Sequence, residues 1–74
     1  MEYYERLKLI RTGKNITQEE IGEKLTISKQ QYQKYESGKH LMPIPYLIKA
    51  CKYLNISADY ILGLPKNLQY PPFD

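Results

Sequence analysis

A chain of 74 residues, 42% hydrophobic and 26% charged, has room for one small soluble domain, near the lower end of what folds unaided. Its net charge of +3 permits a polyanionic partner without requiring one, while a single cysteine and a single histidine build neither a disulfide nor a zinc cage. The opening stretch Met1–Lys8 lacks the apolar segment of a signal peptide, and the longest apolar run, Leu41–Ile48, is too short to span a bilayer and contains Pro43 and Pro45. Secretion and membrane insertion are therefore not expected, and the cytoplasm is the expected compartment.

The first helix is expected over Tyr3–Thr12, where Tyr3, Leu7 and Ile10 recur on one face and Glu2, Glu5, Arg6 and Lys8 stay wet. Leu9 falls off that stripe, and Gly13 fits a left-handed cap. The most informative stretch follows, Ile16–Gly38, because one helix-start signal occurs in it twice, eleven residues apart. Thr17 has Glu20 three residues on and is bracketed by Ile16 and Ile21; Ser28 has Gln31 three residues on and is bracketed by Ile27 and Tyr32. Each is a capping box with a hydrophobic staple, which pairs backbone N–H groups that a first turn leaves orphaned. The two starts define a helix over Gln18–Leu25, a turn of about three residues, and a helix over Lys29–Glu36.

Gly22 lies inside the first of this pair, where it costs about 1 kcal/mol relative to alanine, so a second backbone is expected to approach there. On the other helix, Tyr32 and Tyr35 share the side of Ile27 and form the buried face. Gln30, Gln33 and Lys34 point the opposite way, with Lys29 and Gln31 on the flanks. Charge divides the pair: Gln18–Leu25 holds three glutamates against one lysine, whereas Lys29–His40 holds three lysines against one glutamate. Gly38 ends the second helix and Lys39-His40 continue as a polar connection.

Beyond an extended lead-in, a fourth helix is expected over Pro45–Leu54, with Leu47, Ile48, Cys51 and Leu54 on its inner face and Asn55 as its cap. Ile56, Ser57 and Ile61 repeat the staple and start a short fifth helix that Gly63 and Pro65 stop. Residues 65–74 have no period and form a tail. The expected architecture is all-α, one domain over residues 1–64 followed by that tail. Tyr32, Tyr35, Tyr53 and Tyr60 read as core or boundary residues with their hydroxyls in water. Cys51 and His40 lie on different elements with no acid between them, and the glycines are scattered, so no nucleophile, metal or phosphate-cradling loop is expected and the chain is read as a non-enzyme without a cofactor.

Taken together, Arg6-Leu7-Lys8 and Arg11, Thr17–Ile21, Glu23-Lys24-Leu25, Ile27-Ser28, Tyr35–Lys39 and Asn55–Gly63 resemble the lambda-repressor-like, Cro/XRE-type helix-turn-helix family over Tyr3–Gly63. The resemblance implies a compact five-helix bundle, and a prokaryotic or phage regulator that binds double-stranded DNA, usually as a two-fold dimer. It implies that the third helix enters the major groove, with Lys29, Gln30, Gln33 and Lys34 contacting bases; glutamine pairs with adenine N6 and N7, lysine with guanine O6 and N7. It places Thr17, Gln18, Ser28, Gln31, Lys39 and His40 against phosphates. It makes Arg11 and Glu36 a structural ion pair, which in an exposed setting contributes only about 0–1 kcal/mol. The alternative use of such a fold is an antitoxin or bridging module that grips another protein. Two positions depart from the family pattern. Thr26 stands where glycine is common, at a cost of about 1–3 kcal/mol if φ is positive there, and Pro43-Ile44-Pro45 replaces the usual cap of the fourth helix. The dimer contact is expected on the fifth helix and tail, Tyr60–Phe73.

Overall fold

The computed structural model describes residues 1–72. Five helices follow in order: α1 (Tyr3–Gly13), α2 (Gln18–Leu25), α3 (Lys29–Glu36), α4 (Ile44–Leu54) and α5 (Ala58–Leu62). No strand occurs among the described residues. Helix α2 packs against both α3 and α4, α1 against α3 and α5, and α5 closes onto α4. One core results: Leu7, Ile21, Leu25, Tyr32, Tyr35, Met42, Leu47, Ala50, Leu54 and Ile61, with Ile16, Ile27 and Ile56 packed against it.

Those last three residues are the outer halves of the staples. Their partners Ile21, Tyr32 and Ile61 are wholly buried, so each staple ties a helix start to the core as well as setting its direction. The Thr17 box is complete: its hydroxyl accepts from Glu20 N–H at 3.0 Å and Glu20 Oε1 accepts from Thr17 N–H at 3.0 Å. The Ser28 box is only half formed. Its hydroxyl accepts from Gln31 N–H at 3.0 Å, but the cap geometry of α3 has no return bond from the Gln31 side chain, which leaves that amide available outside the helix start.

The turn between α2 and α3 is Thr26-Ile27-Ser28, and Thr26 takes the left-handed conformation, φ 64° and ψ 39°. The constraint is mutual: Ile27 N–H donates to the Gly22 carbonyl at 2.9 Å, which pulls the chain back over α2. A Cβ on Gly22 would meet the Ile27 carbonyl oxygen at 3.2 Å, so the expected close approach is made by the lead-in to α3. A β-branched residue at positive φ stores strain of about 1–3 kcal/mol, partly offset in any glycine variant by the greater freedom of its unfolded chain. Thr26→Gly is therefore expected to raise stability by about 1 kcal/mol, seen as a higher urea midpoint at unchanged slope. An unchanged or lower midpoint would show that the turn is not strained.

Four expectations need correction. Helix α1 runs through Gly13, and the left-handed residue beyond it is Asn15, at φ 58°. Asparagine reaches this region more easily than other non-glycine residues, so Gly13 is not the cap. Helix α4 begins one residue early, at Ile44, with Pro43 as N-cap and Pro45 inside the first turn. Its inner face is Leu47, Ala50 and Leu54, with Cys51 half-buried; Ile48 is 50% exposed. Burial pushes the Cys51 thiol upward, which keeps it protonated and unreactive. Finally, Tyr32 is buried completely, hydroxyl included, whereas Tyr60 is half exposed.

Candidate nucleic-acid interface

Helix α3 is fixed on its inner side before any outward residue is considered. Tyr32 and Tyr35 are buried in the core, and the helix ends in an ionic network. Arg11 Nε donates to Glu36 Oε2 at 2.7 Å and Arg11 Nη2 to Glu36 Oε1 at 2.8 Å, a bidentate pair. The third guanidinium nitrogen, Nη1, donates to the Ile16 carbonyl at 2.7 Å. Tyr32 Oη donates to Glu36 Oε2 at 2.6 Å, and Gln18 Nε2 donates to Glu36 Oε1 at 3.2 Å. One carboxylate thus joins α1, α2 and α3. Arg11 and Glu36 are only 8% and 4% exposed, so the exposed-pair value does not apply. Removing one partner of a buried pair strands the other charge.

The titration of this network follows from its geometry. Burial pushes the Glu36 carboxyl up, but hydrogen bonds from Arg11, Tyr32 and Gln18 and the Arg11 charge outweigh it, holding the group below its ordinary 4.5. Burial, then the bond to Glu36, pushes the Tyr32 phenol well above its ordinary 10.0. Tyr32 therefore stays neutral and donating across the physiological range.

Opposite this locked face, Lys29, Gln30 and Gln33 are exposed, and Lys34 is half-buried. Gln30, Gln33, Lys34 and Ser37 line one shallow surface of about 430 Å³. Ser37 was not among the residues singled out from sequence, although it sits one helical turn beyond Gln33 and Lys34. Lys29 does not share that surface. It lies instead at the mouth of a cleft of about 670 Å³, with Arg11, Thr17, Gln18, Glu19, Glu20 and Glu23. The four residues expected on bases thus divide into a neutral-to-basic trio and a lysine beside acidic groups.

The six residues expected on phosphates divide similarly. Thr17 and Gln18 line the acidic cleft. The Thr17 N–H is already committed to Glu20, leaving only its hydroxyl proton free. The Gln18 side chain is half-buried and oriented by Glu36: a carboxylate accepts only, so the amide nitrogen must face it. Ser28, Lys39 and His40 are exposed and Gln31 is half-buried. Lys39 and His40 continue from the end of α3, where His40 N–H donates back to the Lys34 carbonyl at 3.0 Å. Among the described residues, no group of histidines, cysteines and carboxylates is arranged to hold a metal, and no helix is long and apolar enough to cross a membrane.

A short three-residue turn between two helices, the second presenting an exposed polar face, defines a helix-turn-helix. A family model described as a helix-turn-helix domain matches residues 4–66, and the chain belongs to that family, in its XRE-like branch. The chain is 39% identical over 63 residues to the HTH-type transcriptional activator BcrR of Enterococcus faecalis, covering 85% of this chain and 31% of that protein. It is 38% identical over 63 residues to the cryptic phage CTXphi transcriptional repressor RstR of Vibrio cholerae, covering 85% and 56%. An uncharacterized HTH-type transcriptional regulator of Bacillus subtilis, YobD, is 36% identical over 62 residues, covering 84% and 55%. The chain therefore spans about half the length of these relatives, or less.

Proposed function

We propose that this domain binds double-stranded DNA sequence-specifically and regulates transcription, as a repressor, with α3 in the major groove. The observation that carries the reading is the two-sidedness of α3. Its inner face is locked by Tyr32, Tyr35 and Glu36, while Gln30, Gln33 and Lys34 form a continuous outer surface with the donors and acceptors that base edges require. Lys29 reaches for a base at the entering end. Thr17, Gln18, Ser28, Gln31, Lys39 and His40 position the domain on phosphates, which carry affinity rather than sequence. The first-turn amides of α2 add to that contact, although Glu19 and Glu20 weaken the positive end of its dipole. Residues 1–64 are the reading domain and residues 65–74 an appended tail. On DNA the protein acts as a homodimer over half-sites about 34 Å apart, in the cytoplasm.

Selection of bound sites from random duplex DNA is expected to return a preferred sequence. At that site Gln30→Ala should lose about 1–3 kcal/mol, with little change on random DNA. Equal losses on both would remove Gln30 from base reading. Affinity should fall steeply with added salt; a flat dependence would instead favour a protein partner, the antitoxin-like use of the fold.

A further inference from the structure

One surface made by α1, α5 and the described tail is not used by this reading. Tyr60, Leu62, Leu64, Leu68 and Tyr70 are exposed there. The dimer contact expected from sequence falls on it; Phe73, named with that contact, lies outside the described residues. The surface is concave, with a pocket of about 390 Å³, a size common to small-molecule sites.

One wall of the pocket is a cation that the fold leaves uncommitted. Arg6, half-buried on α1, lays its guanidinium on the bare backbone of Gly63, where an added Cβ would lie 2.7 Å from Nη1 and 3.0 Å from Cζ. Gly63 is left-handed, with φ 73°, and ends α5. A cation is favoured at that end of a helix, but the last carbonyls are already paired. Leu64 N–H donates to the Asp59 carbonyl at 2.9 Å and Gly63 N–H to the Tyr60 carbonyl at 3.2 Å. No carboxylate holds the guanidinium either: among the described residues the one ion pair is Arg11–Glu36.

The remaining walls are of mixed character. In the tail, which has no helical period, every second residue from Leu64 to Tyr70 lines the pocket, supplying two leucines, a phenol ring and Lys66. Tyr60 adds a second ring, and Asp59 is the one acid among the described lining residues. Two cations against one carboxylate leave a local charge of +1.

We infer that this pocket binds a small amphipathic carboxylate, its anionic end on the Arg6 guanidinium and its apolar body against Leu64, Leu68, Tyr60 and Tyr70. A guanidinium offers paired N–H donors that match the two oxygens of a carboxylate. The local charge balances a monoanion, whereas a phosphate monoester would leave negative charge unpaired beside Asp59. The leucines and rings take an apolar body out of water, which a bare inorganic anion does not have. No residue of α3 lines the pocket, so the inference stands apart from the DNA-reading proposal.

The test titrates phenylbutyrate, and separately its neutral analogue phenylbutanol, into the 74-residue chain, followed by NMR shifts and calorimetry. The carboxylate should saturate a single site with a Kd on the order of 1 mM, shifting Arg6, Tyr60 and Leu68. The alcohol should bind at least about tenfold more weakly. Arg6→Gln keeps much of the stem and removes the charge; it should weaken the carboxylate at least about tenfold and leave the alcohol unchanged. Leu68→Asp sets a like charge beside the ligand from outside the core, and should weaken the carboxylate by a similar factor whether or not the α1 variant folds. Leu9→Asp, exposed on α1 outside the pocket, should bind as wild type does. Equal binding of acid and alcohol, or undiminished carboxylate binding in folded Arg6→Gln or in Leu68→Asp, overturns the inference. Tighter binding of phenyl phosphate also overturns it, as does a dimer of the free chain that Leu68→Asp dissolves, which would put a second copy on this face.

Discussion

Arg11→Ala should cost this domain about 3–5 kcal/mol, the penalty for leaving a buried carboxylate without its counter-charge. A chain of this size has roughly 4–11 kcal/mol in total, so the variant should be largely unfolded in mild urea, where wild type remains native. The reason is geometric. Glu36 accepts four hydrogen bonds, two of them from Arg11, and Tyr32 and Gln18 alone cannot neutralise it. A loss below about 1 kcal/mol would place the pair in the exposed class and refute the burial. Glu36→Ala should be similarly damaging, because it strands the guanidinium and the Tyr32 hydroxyl together. The double variant Arg11→Met/Glu36→Met should lose less than the two singles combined, since no charge is then left alone.

The same carboxylate sets an acid limit. Its folded value lies below the ordinary 4.5, so the unfolded chain takes up a proton first as pH falls. Its contribution is therefore fully present above about pH 4.5 and is lost as pH drops through the folded value. Thermal unfolding followed from pH 7 to pH 2.5 should show this loss in wild type. The double methionine variant, lacking the network, should show a smaller one.

Gly38→Ala is expected to cost about 2–4 kcal/mol, from two separable sources. Gly38 has φ of +81°, and an added Cβ would lie 2.5 Å from the ring of Tyr4. The first source is intrinsic to the backbone, about 1–2 kcal/mol for a residue with a Cβ. The second depends on Tyr4, which must rotate away from the α3 terminus. In a Tyr4→Leu background the substitution should cost only the backbone part. Equal costs in both backgrounds, measured by urea unfolding, would show that the ring does not hold the end of α3.

The two predictions differ in how visible their causes are in the sequence. Gly38 follows a helix with the right period to need a stop, and its role is legible locally. That Tyr4 covers it is not, because α1 and the end of α3 lie more than thirty residues apart in the chain and meet only through the tertiary packing. Likewise the Arg11–Glu36 pairing comes from the family resemblance, while its burial depends on α1, α2 and α3 converging on one carboxylate. Gln18 illustrates the same limit at the candidate site. Its place at the start of α2 is plain from the Thr17 cap, but the orientation of its amide is set by Glu36, eighteen residues away.

Taken alone, the sequence determined where helices begin, because a cap is a contact between residues three apart and needs nothing else. Thr17, Ser28 and Ser57 each start a helix where the hydroxyl-and-staple pattern puts it. It also determined the outward face of α3, since a helix with two adjacent-turn tyrosines on one side has a single apolar side to bury. The left-handed turn residue Thr26 was marked by its departure from the family's glycine. Only the tertiary structure decided which side of α4 faces inward. Leu47 and Ile48 are both apolar, and packing against α2 selects the stripe through Ala50, whose small side chain lets two helices approach, leaving Ile48 outside. It alone placed the left-handed residue after α1 at Asn15, and it alone enclosed the Glu36 network. Burial is a property of what surrounds a residue, and those surroundings come from elements distant in the chain.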